Sequence, residues 1–462
     1  MNVSGRFLLR LTEHLRGSQV RKILRSIGEE PLQPRPRILE GQFLRLSRLL
    51  ASAEAHVPYY REMFRSLGMH SSNIRNLKDL ARLPILTKDI IRERIDDLVR
   101  EDIPKSDLIP RCSGGSTGVP LRFYRSGFEL DACEAGIFRN WRQAGWEPGE
   151  MVAYFWGFDD QLYGMSTWEF ELRQRLRRSY QFDPFQSGPE QMERWRLKFR
   201  QIRPTLAMGY ASTIARFAEH VENTGQRMRP LRGVFTTAEK LYPRQQETIA
   251  RVFGCPVFDL YGSSEVNNIA CSCAHGKMHL NSDFAVVEVD DTNGAPGQPP
   301  SLIVTSLWGE TMPFIRYRNE DCGELLEGMC DCGSQFPLMK LNIARISDNF
   351  TLPNGWVVHG EFFTHLMYGS VGISSFQFHQ TATDAITLWI VPGPGEPVAR
   401  EEAIRSAVSR AESIDPTGTL RVQVRQINAI PLSSAGKHRF TRSDVNPGAA
   451  SRSFQSTGST VI

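Results

Sequence analysis

The chain has 462 residues, of which 40% are hydrophobic, 23% charged and 10% aromatic. That is an ordinary globular composition, and it excludes a collagen-like or wholly disordered chain. The length exceeds what one hydrophobic core organises, so a large domain plus a smaller one is expected. Lys and Arg number 55 against 51 Asp and Glu, a bias too weak to make nucleic acid the main partner.

The basic excess gathers at the start, where residues 1–37 hold eight Lys and Arg against three Glu and leave the remainder near neutral. A solvated helix face is the plain reading of this segment, and contact with an anionic membrane surface is the alternative. No apolar run approaches about 18 residues, and the first ten residues are too short and broken for a signal peptide. A cytoplasmic protein with no transmembrane segment is expected.

Residues 5–66 read as helices interrupted by Pro31, Pro34 and Pro36, a helical lead-in to the main domain. From about 108 to 340, β-type runs alternate with helical patterns: strands at 151–156, 205–208, 233–236 and 257–260, helices at 190–201, 212–224 and 244–253. That alternation predicts parallel strands with crossover helices. The runs 285–289 and 302–306 flank Asp290-Asp291-Thr292-Asn293-Gly294 and predict a hairpin or small antiparallel sheet. After about 346, β-rich runs at 386–391 and 420–426 surround a helical 400–413, which fits a compact α+β domain. The Gly-, Ala- and Ser-rich tail from 447 to 462 has little to bury and reads as disordered.

The strongest local signal is Arg111-Cys112-Ser113-Gly114-Gly115-Ser116-Thr117-Gly118-Val119-Pro120. Glycines let backbone N–H groups cup an anion, and the hydroxyls add donors for phosphate oxygens. No Gly-Lys-Ser/Thr closes it, so it is not a Walker loop. Further on, Glu265 follows a Tyr261-Gly262 turn behind an apolar strand, at the sheet edge where ligands collect in α/β folds, and a carboxylate there can hold Mg²⁺. Asp321 follows Arg316 and Arg318. Alone it reads as an ion-pair partner, although a carboxylate can also accept both ribose hydroxyls. Lys437 is one of nine lysines, a compact point charge suited to a developing oxyanion. Eight cysteines include two Cys-x-Cys pairs, 271/273 and 330/332, with His275 and His279 beside the first. In a reducing compartment such clustering reads as metal ligation.

In chain order, residues 113–120, Thr236-Thr237-Ala238-Glu239, Tyr261-Gly262-Ser263-Ser264-Glu265, Tyr317-Arg318-Asn319-Glu320-Asp321, Ala344-Arg345-Ile346-Ser347-Asp348 and Ser434-Ala435-Gly436-Lys437-His438-Arg439 resemble six motifs of the acyl-adenylate-forming (AMP-binding) superfamily. Val57-Pro58-Tyr59-Tyr60-Arg61 and Leu83-Pro84-Ile85-Leu86-Thr87-Lys88 are similar to phenylacetate-CoA ligase, and Arg203-Pro204-Thr205-Leu206-Ala207-Met208-Gly209-Tyr210 to its relatives in capsule-polysaccharide loci.

The resemblance implies an α/β protein. A large N-terminal adenylate-forming domain of parallel sheets and helices would occupy 1–345, with a zinc-stapled insertion and small sheet at 265–340, followed by a small C-terminal α+β domain at 346–446. It implies ATP-dependent, AMP-forming activation of a carboxylic acid, aryl or apolar, and transfer to coenzyme A. An amine acceptor and a non-catalytic protein of a polysaccharide locus are the alternatives. Lys437, Thr117 and Glu265 would be catalytic. Ser113, Gly114, Gly115, Ser116, Thr117, Gly118, Ala238, Glu239, Tyr261, Gly262, Asp321 and Arg345 would bind nucleotide. Tyr154, Trp156, Met208 and Tyr210 would line the acyl pocket, Asp348 would be the hinge, and Glu265 would hold magnesium. For structural zinc the resemblance selects Cys273, His279, Cys330 and Cys332, with Cys271 and His275 in reserve. A homodimer is compatible with this reading.

Overall fold

The computed structural model describes residues 17–113, 121–157, 167–184, 189–290, 300–343, 350–358, 360–367, 370, 372–393, 396–430 and 439–445. The tail expected from 447 lies outside these residues.

Helices α1 (Val20–Ile27), α2 (Arg35–His56), α3 (Pro58–Ser66) and α4 (Lys88–Glu93) open the chain. In α1 the buried residues are Val20, Ile23, Leu24 and Ile27, a single apolar stripe at helical spacing. Val57 is extended, as a residue before proline must be, and it separates α2 from α3, which starts at Pro58. Strands β1 (Ile109–Ser113) and β2 (Leu121–Arg125) pair antiparallel, with Ser113 opposite Leu121. They flank the 114–120 loop. Helix α5 (Gly127–Arg142) follows at once. Its N-cap Ser126 and Glu129 form a reciprocal capping box, which satisfies two of the donors orphaned at a helix start.

Strands and helices then alternate: β3 (Val152–Phe155), α6 (Thr167–Arg177), β4 (Ser179–Phe182), α7 (Pro189–Ile202), β5 (Leu206–Tyr210), α8 (Ala211–Asn223), β6 (Gly233–Thr237), α9 (Pro243–Phe253) and β7 (Val257–Tyr261). All strand pairs in this run are parallel. One face of these strands buries Ala153, Phe155, Ala207, Val234 and Val257 against α7, α8 and α9. The other buries Leu206, Met208, Phe235, Phe258 and Leu260 with Trp141 of α5 and the α1 stripe. Apolar residues at successive positions are what a strand covered on both faces requires.

The chain continues through β8 (Ala270–Ser272), β9 (Met278–Leu280), β10 (Ala285–Asp290), β11 (Ser301–Ser306), β12 (Tyr317–Leu326) and β13 (Leu338–Ile343), all paired antiparallel. β10 and β11 form the expected hairpin. These strands make no separate small sheet, however. They extend the parallel one into a single eleven-stranded sheet of order β10-β11-β12-β13-β9-β8-β7-β6-β5-β3-β4. The join is β8, whose Cys271 pairs with Leu260 of β7.

Residues 350–445 build around a second sheet. Strands β14 (Phe350–Thr351) and β15 (Val357–Val358) form a short hairpin, followed by α10 (Gly360–Leu366), β16 (Ile373–Ala382), β17 (Ala385–Pro392), α11 (Pro397–Glu412), β18 (Arg421–Gln426) and β19 (Thr441–Ser443). The four long-range strands run β18-β17-β16-β19. Phe350, Phe363, Phe378, Leu388, Ile390 and Ala407 form a core of their own.

Candidate active site

The carboxyl ends of β5, β6 and β7 deliver Tyr210, Thr237 and Tyr261 to one edge of the sheet. Ala238, just past β6, has φ +66°, a left-handed conformation that costs a non-glycine residue about 1 kcal/mol or more and concentrates at functional loops. The Glu239 carboxylate accepts hydrogen bonds from the Ser212 N–H (2.7 Å) and hydroxyl (2.9 Å) at the start of α8. That side chain anchors the loop to the helix.

Glu265 is 1% exposed. Tyr317 donates its hydroxyl to Glu265 Oε1 at 3.1 Å, whereas Oε2 has no hydrogen-bond partner among the described residues. A buried carboxylate oxygen without a donor fits a cation ligand, since leaving it bare is otherwise costly. The loop carrying it is pinned on several sides. Ser263 and Val266 exchange bonds between N–H, carbonyl and hydroxyl, and Asn268 donates its amide to the Cys133 carbonyl of α5.

Asp321 lies on β12 beside this loop. Tyr261 donates its hydroxyl to Asp321 Oδ2 (3.0 Å), and the Asn319 amide donates to the same oxygen (3.2 Å) and to the Tyr261 hydroxyl (2.8 Å). The arginines beside it are engaged elsewhere: Arg316 pairs with Glu288 and Arg318 with Asp290. The Tyr261 and Asn319 donors to Asp321 are neutral. Leu86, from the N-terminal Leu83–Lys88 motif, bridges in parallel to Tyr317.

Asp259 was not apparent as a site residue from the sequence. It lies two residues before Tyr261 and hence on the same strand face. Burial pushes its carboxyl up to about 7, against the opposing hydrogen bond donated by the Thr236 hydroxyl at 2.9 Å. A lone carboxylate in an otherwise apolar strand was the available signal.

Trp156 stacks on Tyr210, with ring centroids 4.5 Å apart and planes at 10°. Tyr210 and Met208 are buried, while Tyr154 is partly buried and packs on the α5 side of the sheet. Burial, then the nearby Glu134 and Cys133, raises the Tyr154 hydroxyl well above its ordinary value. Gly262 lets the backbone turn tightly, since a Cβ there would sit 3.1 Å from the Asn268 nitrogen. The Ser113 backbone ends β1. Gly114, Gly115, Ser116, Thr117, Gly118, Arg345, Asp348 and Lys437 lie outside the described residues.

At the other end of the β8–β9 hairpin, the ligand atoms of Cys273, His279, Cys330 and Cys332 all lie within 4.8 Å of one another. Cys273 Sγ is 3.7 Å from Cys330 Sγ, and Cys332 Sγ is 3.4 Å from His279 Nε2. The corners of a tetrahedral site with about 2.3 Å zinc–sulfur bonds are spaced by about 3.8 Å, so the donor set and its dimensions fit zinc. His279 Nδ1–H donates to the Phe336 carbonyl at 3.2 Å, which leaves Nε2 with the lone pair toward the cluster. Burial lowers the His279 basicity, against the Phe336 hydrogen bond, which raises it. Burial pushes the Cys332 thiol up to about 11. Cys330 also meets a burial penalty, but hydrogen bonds from the Cys332 backbone and the neighbouring thiols outweigh it and hold this thiol below its ordinary value. The reserve residues stay apart. His275 is exposed, and the Cys271 thiol, pushed up to about 12 by burial, takes a hydrogen bond from Gln143.

No protein-family model matches the chain. It is 23% identical over 407 residues to Protein CapK of Staphylococcus aureus, covering 84% of this chain and 85% of that protein. It is 28% identical over 305 residues to phenylacetate-coenzyme A ligase of Escherichia coli strain K12 (62% and 67% covered). Over 302 residues it is 27% identical to the Pseudomonas putida enzyme of the same name (63% and 67%). Among solved structures it is similar to 2-hydroxyisobutyryl-CoA ligase in complex with 2-HIB-AMP and CoA, with a TM-score of 0.58 and 20% identity over 93% of this chain and 94% of that one. The fold is thus that of 2-hydroxyisobutyryl-CoA ligase, and the sequence is similar to those of Protein CapK and the phenylacetate-coenzyme A ligases.

Proposed function

We propose that this chain is an AMP-forming acid–CoA ligase. Supporting this reading above all is one hydrogen-bonded arrangement: two buried carboxylates, Glu265 and Asp321, lie at the carboxyl edge of the sheet and are oriented by Tyr317, Tyr261 and Asn319. Asp321 would accept the ribose hydroxyls. The base would lie along the Ala238 loop and the Tyr261 ring, where Asp259 offers an acceptor to an exocyclic amino group. Magnesium held by Glu265 would neutralise charge on the polyphosphate. The 113–118 loop would cup the phosphates, Thr117 among its donors, and Arg345 would reach ribose or phosphate.

In the first half-reaction the substrate carboxylate attacks the α-phosphorus in line, the bond to the bridging oxygen breaks, and pyrophosphate leaves. Lys437 would place its ammonium against the charge growing on the α-phosphate and the carboxylate. No protein nucleophile is required, so catalysis rests on positioning and charge. In the second half-reaction a thiolate attacks the acyl carbonyl and AMP departs, after the segment beyond Asp348 turns about that residue. Coenzyme A as acceptor is supported by the names of the sequence relatives and by the coenzyme A complex of the structural neighbour. Zinc on Cys273, His279, Cys330 and Cys332 would serve structure, tying the β8–β9 hairpin to the 327–337 loop; no step of the chemistry passes through it.

The test is acid-dependent ATP–pyrophosphate exchange over a panel of aryl, aliphatic and hydroxy acids. AMP release with coenzyme A is then compared with release with amines. Exchange with at least one acid and AMP release dependent on coenzyme A are expected. Absence of exchange across the panel removes the ligase reading, and release with amines alone reassigns the acceptor.

A further inference from the structure

Arg125 closes β2, the strand that leads out of the 113–120 loop, and it precedes the N-cap of α5. It is 6% exposed. Its guanidinium lies over the Phe123 ring at 5.5 Å and donates through Nη2 to two main-chain oxygens, the Ser264 carbonyl (3.0 Å) and the Glu265 carbonyl (2.7 Å). Among the described residues no carboxylate forms an ion pair with it, although its charge is felt by the buried Glu129. Burying a guanidinium to bind two successive carbonyls is expensive unless their placement matters.

Fixing those carbonyls fixes the peptide planes on either side of the Glu265 Cα, and with them the direction of its side chain toward the Tyr317 hydroxyl. The other end of the same strand, Leu121, pairs with Ser113 at the mouth of the phosphate loop. One five-residue strand therefore joins Ser113 to the backbone of Glu265. We propose that Arg125 is a positioning residue that fixes the peptide planes on either side of Glu265, and so tunes how tightly magnesium and nucleotide are held together. This rests on the nucleotide reading above.

The test uses the full chain, with ATP binding followed by calorimetry at stepped magnesium concentrations and exchange measured at saturating acid. R125K keeps the charge and the stem over Phe123 but replaces the planar fork by a single ammonium; R125Q removes the charge. Outer residues that orient a metal ligand typically govern affinity by about 10–100-fold. The magnesium concentration for half-maximal ATP binding should therefore rise about tenfold in R125Q and less in R125K. ATP binding without metal and the KM for the acid should stay unchanged. An unchanged magnesium dependence in either folded variant overturns the proposal, as does an equal loss with and without magnesium, which marks general loosening. If R125Q fails to fold, R125K decides alone. A wild-type protein that binds no ATP, or supports no exchange, refutes the nucleotide reading instead.

Discussion

Asp259 and Glu265 are both carboxylates near the end of β7, but they have different partners: the Thr236 hydroxyl for the first and the Tyr317 hydroxyl for the second. The Asp259 carboxyl titrates near 7 because burial disfavours its charge, whereas in the unfolded chain it titrates near 3.9. Between those values the folded state holds more protons, so stability falls as pH rises from about 4 to 7 and then levels. Asp259→Asn should abolish that slope: Tm at pH 8 should lie a few degrees above wild type, with the excess smaller at pH 5, by calorimetry. An unchanged slope in the variant would place the titrating group elsewhere. Glu265 is tested by exchange. Glu265→Gln should cost about 10²–10³ in rate, as for loss of one preorganised electrostatic group. Tyr317→Phe, which removes the hydroxyl bond to Glu265, should cost about tenfold. Comparable losses in the two variants would show that Glu265 acts through its tether alone. Glu265, Asp321 and the four Cys and His residues could be named from the sequence because they fall in motifs that resemble known ones; the gathering of the four Cys and His residues is what the structure adds. Tyr317, Asn319 and Arg125 were not assigned roles, because what they do depends on partners distant in sequence, such as Arg125 on Ser264.

At the scale of elements, the Glu265 loop is registered against α5 by a contact that tolerates no side chain. A Cβ on Gly136 would lie 2.6 Å from Asn268 Nδ2 and 2.7 Å from Phe284 Cζ, and Asn268 itself holds φ +54°. Gly136→Ala should cost about 1–3 kcal/mol in stability, the usual range for overpacking, and should reduce exchange beyond what the shift in Tm explains. Full activity in a destabilised variant would show that this contact serves packing alone. The Cys and His cluster adjoins the same region through β8, which pairs with β7 at Tyr261 and Ala270. Elemental analysis should find one zinc per chain, and Cys332→Ser or a strong chelator should lower Tm by on the order of 10 °C; metal-free protein with unchanged Tm would leave the cluster as plain thiols. The alternating strands and helices were readable because the period changes with each element. The continuity of the eleven strands was not. It depends on pairings such as His279 with Leu338, and no local pattern encodes a partner so far along the chain.

At the scale of the whole molecule, the described residues build around an eleven-stranded and a four-stranded sheet. The 350–445 segment carries its own core around Phe350, Phe378 and Leu388, and Lys437 belongs to the stretch just before β19 of that sheet. A cation brought from a separately cored unit can be present for one half-reaction and absent for the next. Only the first half-reaction builds charge on the α-phosphate, so only the first needs it. Lys437→Ala should therefore lower acid-dependent exchange by about 10²–10³. Thioester formation from supplied acyl-AMP and coenzyme A should stay within about tenfold of wild type, since that step starts beyond the charge Lys437 serves. Tm and zinc content should be unaltered, because the proposed zinc donors are Cys273, His279, Cys330 and Cys332. Equal losses in the two half-reactions would place Lys437 in a fixed site serving both, and a single rigid arrangement would then replace the rotation about Asp348.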